Sequence, residues 1–457
     1  MKPNVLLMHC HDLGDHLGCY PNNSARTPAL DRFAQEGVVF EQYFAAAPTC
    51  SPSRASTLSG LLPHRHGLIA LASGGHWEIR TDIPTLPRIL KEAGYQTGSF
   101  GIWHINMSPD VHGVDHFDTV AQSDVATPNA IEFLKNRDTN RSFFLMVGFE
   151  EPHRPFAPRG GERLDPDKVI VPPYLLDCPE MRQEMVNFYD MVNFADLWAG
   201  QILDFIKAEG LDENTLCIFT SDHGIGMPLA KGTLYDPGLK IPLLIRWPGQ
   251  VEGGRRCNDL TSNIDLLPTV LQAVGLQKHT PADLDGHSLW PFVQEGQRVT
   301  HERVFAEQTW HDFYEPIRSI RTSRYKLIRN FEPGPGLQLA ADILYTDAAK
   351  AMRQQLLHHP RPATELYDLG SDPIERNNLA NRADKATLTK DLRHELNAFL
   401  SATHDPILKG VVPAPSGYWE HFLAKPSRPG GLPLHEESES WTTTRWPFGA
   451  TEHDCTN

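Results

Sequence analysis

Five consecutive residues, Cys50-Ser51-Pro52-Ser53-Arg54, combine a potential nucleophile with a potential anion ligand. Proline suits the first turn of a helix because it has no N–H group to leave unpaired. Cys50 is therefore predicted beside a helix N-terminus, where backbone N–H groups and the helix dipole favour an anion. Arg54, one turn later, offers a planar set of donors that matches a tetrahedral oxyanion. The alternative is that Cys50 is a small buried apolar residue, as single cysteines often are.

Carboxylate and imidazole groups follow two predicted buried strands. Asp12 follows the apolar residues 5–8, and Asp222 and His223 follow residues 215–220. In α/β sheets the carboxyl ends of parallel strands carry the ligand-binding groups, so we expect these side chains to meet around one divalent ion. Oxygen ligands favour Ca²⁺ or Mg²⁺, whereas histidine shifts the preference toward Mn²⁺ or Zn²⁺. A carboxylate that caps the following turn is the alternative for Asp12.

Two further histidines lie just after predicted strands. His104 follows the strand predicted over residues 96–102, and His153 follows the strand predicted over residues 142–149. One such histidine is usually structural, but several strands that end in histidine or aspartate indicate a shared site. Two more histidines, within residues 63–67, either line the mouth of the pocket or lie in a polar loop, and we favour the loop.

The elements that position these residues alternate between strand and helix over the first two thirds of the chain. Helices are predicted over residues 27–37, 50–60, 86–94, 180–209 and 265–275. After about residue 290, short alternating runs at 304–308, 317–321 and 325–328 predict a small antiparallel sheet, and residues 379–400 contain a helix. The final stretch, residues 406–457, is predicted to wrap around the body because it carries Trp419, Trp441 and Trp446. We therefore predict two domains, residues 1–295 and 296–457.

The composition excludes several classes of partner. A net charge of −15 argues against a general binder of nucleic acid or of acidic membranes. No apolar run is long enough to span a bilayer. The seven cysteines show no spacing of a zinc site or a disulfide framework, which mildly favours a reducing compartment. No signal peptide precedes the first predicted strand, so we expect a cytoplasmic protein, or a periplasmic or secreted one if a leader was removed.

In chain order, these motifs resemble the formylglycine-dependent sulfatase family of the alkaline phosphatase superfamily. The similarity extends over nearly the whole chain, through residues 4–14, 50–60, 101–104, 221–224, 231–233 and 365–379. Residues 50–56, 144–154 and 305–319 are most similar to the heparan N-sulfatase (sulfamidase) branch. The resemblance implies an α/β fold with an alkaline-phosphatase-like mixed, mostly parallel sheet flanked by helices, and a smaller C-terminal subdomain with an antiparallel sheet.

The resemblance also implies an activity. The expected function is hydrolysis of a sulfate ester or N-sulfate of a sulfated sugar by a formylglycine hydrate, which requires a maturation enzyme that converts Cys50 to formylglycine (3-oxoalanine). A phosphonate monoester or phosphodiester hydrolase on the same fold is one alternative. A catalytically silent relative that binds sulfated glycans is another.

Roles follow from the resemblance, residue by residue. Cys50, as formylglycine hydrate, attacks sulfur, and Arg54 holds and stabilises the sulfate. His104 takes the proton that lets the sulfated hydrate collapse to aldehyde and sulfate. His153 and Lys231 face the leaving group, which needs a proton.

The remaining implied roles are those of metal ligands and sugar contacts. The metal ligands are Asp12, Asp222, His223 and the modified Cys50, with His11 as a further candidate. The expected ion is Ca²⁺, with Mn²⁺, Mg²⁺ and Zn²⁺ as alternatives. Glu307 and His311 are candidate sugar contacts. Two departures stand out: His11 replaces an aspartate, which leaves the metal open, and Ile102 replaces a lysine, which predicts altered rather than absent activity.

Overall fold

The computed structural model describes residues 2–21, 24–72, 77–160, 163–299, 301–333, 338–357 and 360–415. Its strands are β1 (Asn4–Cys10), β2 (Val38–Phe40), β3 (Tyr43–Phe44), β4 (Gln96–Gly101), β5 (His116–Asp118), β6 (Phe143–Gly148), β7 (Thr215–Ser221), β8 (Leu243–Arg246), β9 (Arg255–Cys257), β10 (Thr261–Ser262), β11 (Val304–Trp310), β12 (Tyr314–Arg321), β13 (Tyr325–Asn330) and β14 (Thr364–Asp368). Its α-helices are α1 (Pro28–Gln35), α2 (Cys50–Ser59), α3 (Pro63–His66), α4 (Leu86–Glu92), α5 (Ser123–Lys135), α6 (Pro179–Ala208), α7 (Asp236–Leu239), α8 (Leu266–Ala273), α9 (Trp290–Glu295), α10 (Ala341–Leu344), α11 (Asp347–Leu357) and α12 (Ala386–Ala402).

Eight strands form the main sheet, in the order β5-β4-β6-β1-β7-β8-β2-β9. The first five strands in this order are parallel to one another, whereas β8 runs antiparallel to both β7 and β2. Two apolar cores cover the two faces of the sheet: alternate residues of β1 enter different cores, Leu6 with α5 and α6, and Leu7 with α4 and α8. The predicted mixed, mostly parallel sheet flanked by helices is confirmed.

The C-terminal part forms a separate antiparallel sheet in the order β11-β12-β13-β14, as predicted. Helix α12 packs on it through Leu392, Leu396 and Leu400. The proposed boundary between residues 295 and 296 falls between α9 and β11 and stays a prediction. Trp419, Trp441 and Trp446, which were expected to pack against the body, lie outside the described residues.

One predicted loop is wrong. Residues 63–66 form the short helix α3, with Pro63 at its first turn and Gly67 in the left-handed conformation after it (φ 87°). This combination of an N-terminal proline and a C-terminal glycine is a helix signal that the polar character of the histidines obscured. His66 is fully buried rather than solvated.

Within the described ranges, no helix is both long enough and apolar enough to cross a membrane.

Candidate active site

The registers of three parallel strands bring the predicted site residues together. His9 and Cys10 of β1 lie opposite Thr220 and Ser221 of β7, so the residues that follow each strand are neighbours. Strands β6 and β4 end at the same level on the other side of β1, and lead to His153 and His104. As the sequence predicted, one edge of the sheet collects these residues.

Cys50 is the first residue of α2, and its side chain is buried. One ligand atom from each of Cys50, His11 and His104 lies within 4.8 Å of the others. Burial alone would raise the pKa of the Cys50 thiol, but the charge and hydrogen bond of His104, with hydrogen bonds from His11 and His223, hold that pKa well below its ordinary value. Residue 50 is thus surrounded by imidazoles that stabilise negative charge.

A backbone N–H of one aspartate of the predicted metal site donates to the carboxylate of the other. The Asp12 N–H donates to Asp222 Oδ1 over 2.9 Å, and so does the His223 N–H. Asp12 adopts a left-handed backbone conformation (φ 56°), which only a local constraint sustains in a non-glycine residue. The pKa of the buried Asp222 is depressed: burial raises it, but His223, His11 and Arg54 outweigh that effect. Asp222 is therefore a carboxylate.

His11, Asp12, Asp222 and His223 offer four ligand atoms within 4.8 Å of one another, all from buried residues. Among the residues that the structure describes, Asp12 Oδ1 has no hydrogen-bond partner, and His11 Nε2 and His223 Nε2 have none beyond the Cys50 thiol that their rings approach. Both nitrogens face Asp12 Oδ1, at 3.5 and 3.1 Å. Burial lowers the pKa of His11 to about 4 despite the nearby Asp222, so its imidazole is neutral, as a metal ligand must be. Buried polar atoms normally have hydrogen-bond partners, and this group of lone-pair ligand atoms fits a divalent cation.

Arg54 links the nucleophile helix to this cluster. Its Nε donates to Asp222 Oδ2 over 3.0 Å, and its two other nitrogens donate to the carbonyls of Ile102 (3.3 Å) and Cys10 (2.9 Å). Ile102, which stands where the resemblance led us to expect a lysine, thus contributes its backbone to the site.

Lys231 and His153 lie together on another side of Asp12. Lys231 Nζ donates to Asp12 Oδ2 over 2.7 Å and is 3.2 Å from His153 Nε2. It also donates to Asp342 Oδ2 over 2.6 Å, an oxygen that is 3.6 Å from His153 Nε2. Burial alone would lower the pKa of Lys231, but Asp12 and Asp342 raise it above its ordinary value, so the amine is charged.

Asp342 is a site residue that sequence reasoning missed. This residue lies in α10, 111 positions beyond Lys231, and no motif marks it.

His311, which was predicted, does approach Cys50: burial would lower its pKa, but Asp312 and Cys50 raise it to about 10. The same Asp312 accepts a hydrogen bond from His311 Nδ1 (2.9 Å) and one from the Ala341 N–H (2.6 Å). Asp312, also unpredicted, therefore connects His311 to the helix that carries Asp342.

Glu307 lies among buried charged side chains. Its Oε1 accepts from the His64 N–H and its Oε2 contacts His64 Nδ1, each over 2.6 Å. Arg318 Nε is 3.6 Å from Oε2, and Glu307 is 3% exposed. The structure therefore places the Glu307 carboxylate in a buried ion pair with His64 and Arg318, and its contact with a sugar stays a prediction.

The sequence matches to known proteins extend over the regions of both sheets. Residues 3–276 match the sulfatase family, and residues 227–339 match the C-terminal part of N-sulphoglucosamine sulphohydrolase. Human N-sulphoglucosamine sulphohydrolase is 30% identical, with 95% of this chain and 95% of that protein covered. N-acetylglucosamine-6-O-sulfatase of Bacteroides thetaiotaomicron is 24% identical, with 86% and 85% covered.

Solved structures show the same fold. One is a protein in complex with its substrate D-glucosamine-2-N,6-O-disulfate, which superposes with a TM-score of 0.69 at 22% identity, over 89% of this chain and 99% of that one. A 2-O glycosaminoglycan sulfatase superposes with a TM-score of 0.70 at 21% identity, over 90% and 94% of the two chains.

Proposed function

The chain belongs to the sulfatase family, and from this premise we propose that it removes sulfate from a sulfated sugar, with residue 50 as the nucleophile after conversion of Cys50 to formylglycine. As a member of this family it is a sulfuric ester hydrolase or a sulfamidase. The observation that carries the proposal is the position of Cys50, buried at the start of α2 among His11, His104 and His223. Beside it lie four potential metal ligands, and Asp12 Oδ1, one of their ligand atoms, has no hydrogen-bond partner within the described ranges.

The substrate class follows from the relatives. Those named above act, by their names, on sulfated glucosamine derivatives, and the match to the C-terminal part of N-sulphoglucosamine sulphohydrolase includes β11 and β12. We therefore propose a sulfated amino sugar, with the sulfate on oxygen or nitrogen. His311, which approaches Cys50, is the proposed sugar contact.

Asp12, Asp222, His223 and His11 would hold one divalent ion, together with the modified residue 50. The ion would neutralise the charge of the sulfate oxygens. The two carboxylates suit Ca²⁺, the expected ion, or Mg²⁺, whereas the two imidazoles shift the preference toward Mn²⁺ or Zn²⁺. Arg54 keeps the Asp222 carboxylate in place through its 3.0 Å hydrogen bond.

The proton transfers fall to residues on two sides of the site. A formylglycine hydrate supplies an oxygen nucleophile for sulfur, and His104, which hydrogen-bonds residue 50, is placed to take a proton from it. His153 and the charged Lys231 are placed to supply a proton or positive charge to the leaving group. Asp342 holds these two groups together, so we assign it a positioning role.

The direct test is mass spectrometry of the peptide that contains Cys50, from protein produced together with a formylglycine-generating enzyme. We expect the thiol to be replaced by an aldehyde. A plain thiol under these conditions would contradict the mechanism and favour a silent glycan-binding relative.

The Cys50→Ala variant tests the same residue by activity. Because alanine cannot be converted to formylglycine, we expect the hydrolysis of an aryl sulfate to fall by at least about 10³-fold, with an unchanged circular dichroism spectrum. The wild-type enzyme should act faster on the aryl sulfate than on the matched aryl phosphonate. The reverse preference would indicate the phosphonate hydrolase alternative.

A further inference from the structure

Asp265, His287 and His301 form a second cluster of potential metal ligands, which shares no residue with the Cys50 site. Their ligand atoms lie within 4.8 Å of one another. The three residues come from separate segments: Asp265 directly precedes α8, His287 lies in the loop before α9, and His301 lies between α9 and β11.

The Asp265 carboxylate is fixed in place. The residue is fully buried, its Oδ2 accepts from the Ser262 N–H over 2.8 Å, and its Oδ1 accepts from the His287 N–H over 2.9 Å. Each carboxylate oxygen has two acceptor sites, so Oδ1 keeps capacity for another ligand, and the second site of Oδ2 faces His301. Backbone donors of this kind orient the carboxylates that bind metals.

The two imidazoles converge on this carboxylate. His301 Nε2 is 3.2 Å from Asp265 Oδ2. The rings of His287 and His301 meet edge to face, with their centroids 5.0 Å apart. The His301 side chain is 16% exposed and His287 is exposed, so an ion can enter from solvent.

We propose that Asp265, His287 and His301 bind one divalent transition-metal ion of the zinc class. Two imidazoles and one carboxylate form a ligand set that zinc uses, whereas Ca²⁺ and Mg²⁺ require more oxygen ligands. Because His301 lies in the segment that leads into β11, the bound ion clips this segment to the start of α8. The clip therefore joins the end of the main-sheet region to the C-terminal antiparallel sheet.

The test is calorimetric titration of the full-length protein with Zn²⁺, in the presence of saturating Ca²⁺, compared with the His287→Gln/His301→Gln double variant. We expect wild type to bind one more equivalent of Zn²⁺ than the double variant. The single variant His287→Gln, at an exposed position that tolerates glutamine, should weaken this equivalent by at least about 10-fold. His394→Gln, at an exposed histidine of α12, is the matched control and should bind like wild type.

Two further readouts separate this site from the Cys50 site. Hydrolysis of an aryl sulfate should be unchanged in the His287 and His301 variants, because neither side chain contacts the Cys50 cluster. Co²⁺ added in place of Zn²⁺ should give d–d absorption bands that the double variant lacks. Equal Zn²⁺ stoichiometry and affinity in wild type and double variant would overturn the proposal, and would leave a simple His301–Asp265 ion pair.

Discussion

Two buried clusters of charged side chains adjoin helices α2 and α3, and they differ in what their polar atoms contact. The cysteine cluster consists of Cys50, His11, Asp12, Asp222 and His223, and the arginine cluster consists of His64, Glu307, Arg318 and Asp405. In the cysteine cluster, Asp12 Oδ1, His11 Nε2 and His223 Nε2 form no hydrogen bond within the described part of the chain other than to the Cys50 thiol. In the arginine cluster, every carboxylate oxygen of Glu307 and Asp405 accepts a hydrogen bond, and His64 Nε2 alone among its described polar side-chain atoms is left without one.

The difference separates a site built for a ligand from a site built for the fold. An unpaired buried polar group costs about 1–3 kcal/mol, so a cluster that keeps several of them requires an external partner. The Arg318 guanidinium instead donates to both oxygens of Asp405, at 2.5 and 3.0 Å, and to the Gln308 carbonyl at 2.6 Å. Residue type alone does not distinguish the two clusters, because both contain carboxylates and histidines.

Metal removal is expected to have the largest effect that distinguishes the cysteine cluster from the arginine cluster. Dialysis against a chelator should abolish the sulfatase activity, because the cysteine cluster would lose the cation that balances Asp12 and Asp222. One divalent ion, added back, should restore it. The Glu307→Gln variant, changed only in the arginine cluster, should lose and regain activity as wild type does. Full activity in protein shown by elemental analysis to be metal-free would remove the ion from the mechanism.

Glu307→Gln tests the arginine cluster itself. Removal of one charge from a buried ion pair should lower the free energy of unfolding by about 3 kcal/mol, as measured by denaturant titration. The KM for the sulfated sugar should stay unchanged, since the Glu307 carboxylate is buried against His64 and Arg318. A raised KM at unchanged stability would restore the sugar contact that the sequence predicted.

A smaller effect is expected from Asp342→Asn. The carboxylate holds Lys231 at 2.6 Å, and its loss should reduce kcat/KM by about 10-fold for a sugar sulfate, whose leaving group needs assistance. The effect should be much smaller for an aryl sulfate with a good leaving group such as nitrophenolate. Equal losses on both substrates would indicate a purely structural role for Asp342.

Local sequence signals predicted the parts of the site that lie at the ends of regular elements. The start of α2 at Cys50 and the positions of Asp12 and Asp222 after buried strands follow from proline, glycine and apolar runs that act within a few residues. Asp312 and Asp342 could not be predicted, because their places beside His311 and Lys231 depend on how the C-terminal segment packs on the main sheet. The ion pair of Glu307 with His64 could not be predicted either, because it is a tertiary contact, whereas the resemblance conveys only residue identity.

The last effect concerns pH and distinguishes two histidines of α3. His64 belongs to the arginine cluster: burial lowers its pKa, but Glu307 and Asp405 raise it above its ordinary value. Burial lowers the pKa of His66, whose ring contacts Ser56 and Leu68 rather than a carboxylate, to about 3. The backbone N–H of Leu68 points at His66 Nδ1 over 3.2 Å, which leaves no place for a second proton. The two histidines therefore affect stability in opposite directions as the pH changes.

For His66 the folded pKa lies below the unfolded value of about 6.5. Its contribution to stability is thus complete above pH 6.5 and is lost as the pH falls toward 3. Between pH 7 and pH 5, wild type should lose about 2 kcal/mol more of its free energy of unfolding than His66→Asn, which keeps an acceptor for Leu68 but cannot be protonated. Glu307→Gln serves as the opposite case, because it removes the carboxylate that favours protonated His64. The contribution of this ion pair to the free energy of unfolding is present below pH 6.5 and is lost as the pH rises through the raised pKa of His64. If the free energies of unfolding of wild type and His66→Asn changed equally with pH, His66 would already be accessible to protons in the folded protein. Water would then reach His66 in α3, unlike the buried carboxylates of the arginine cluster.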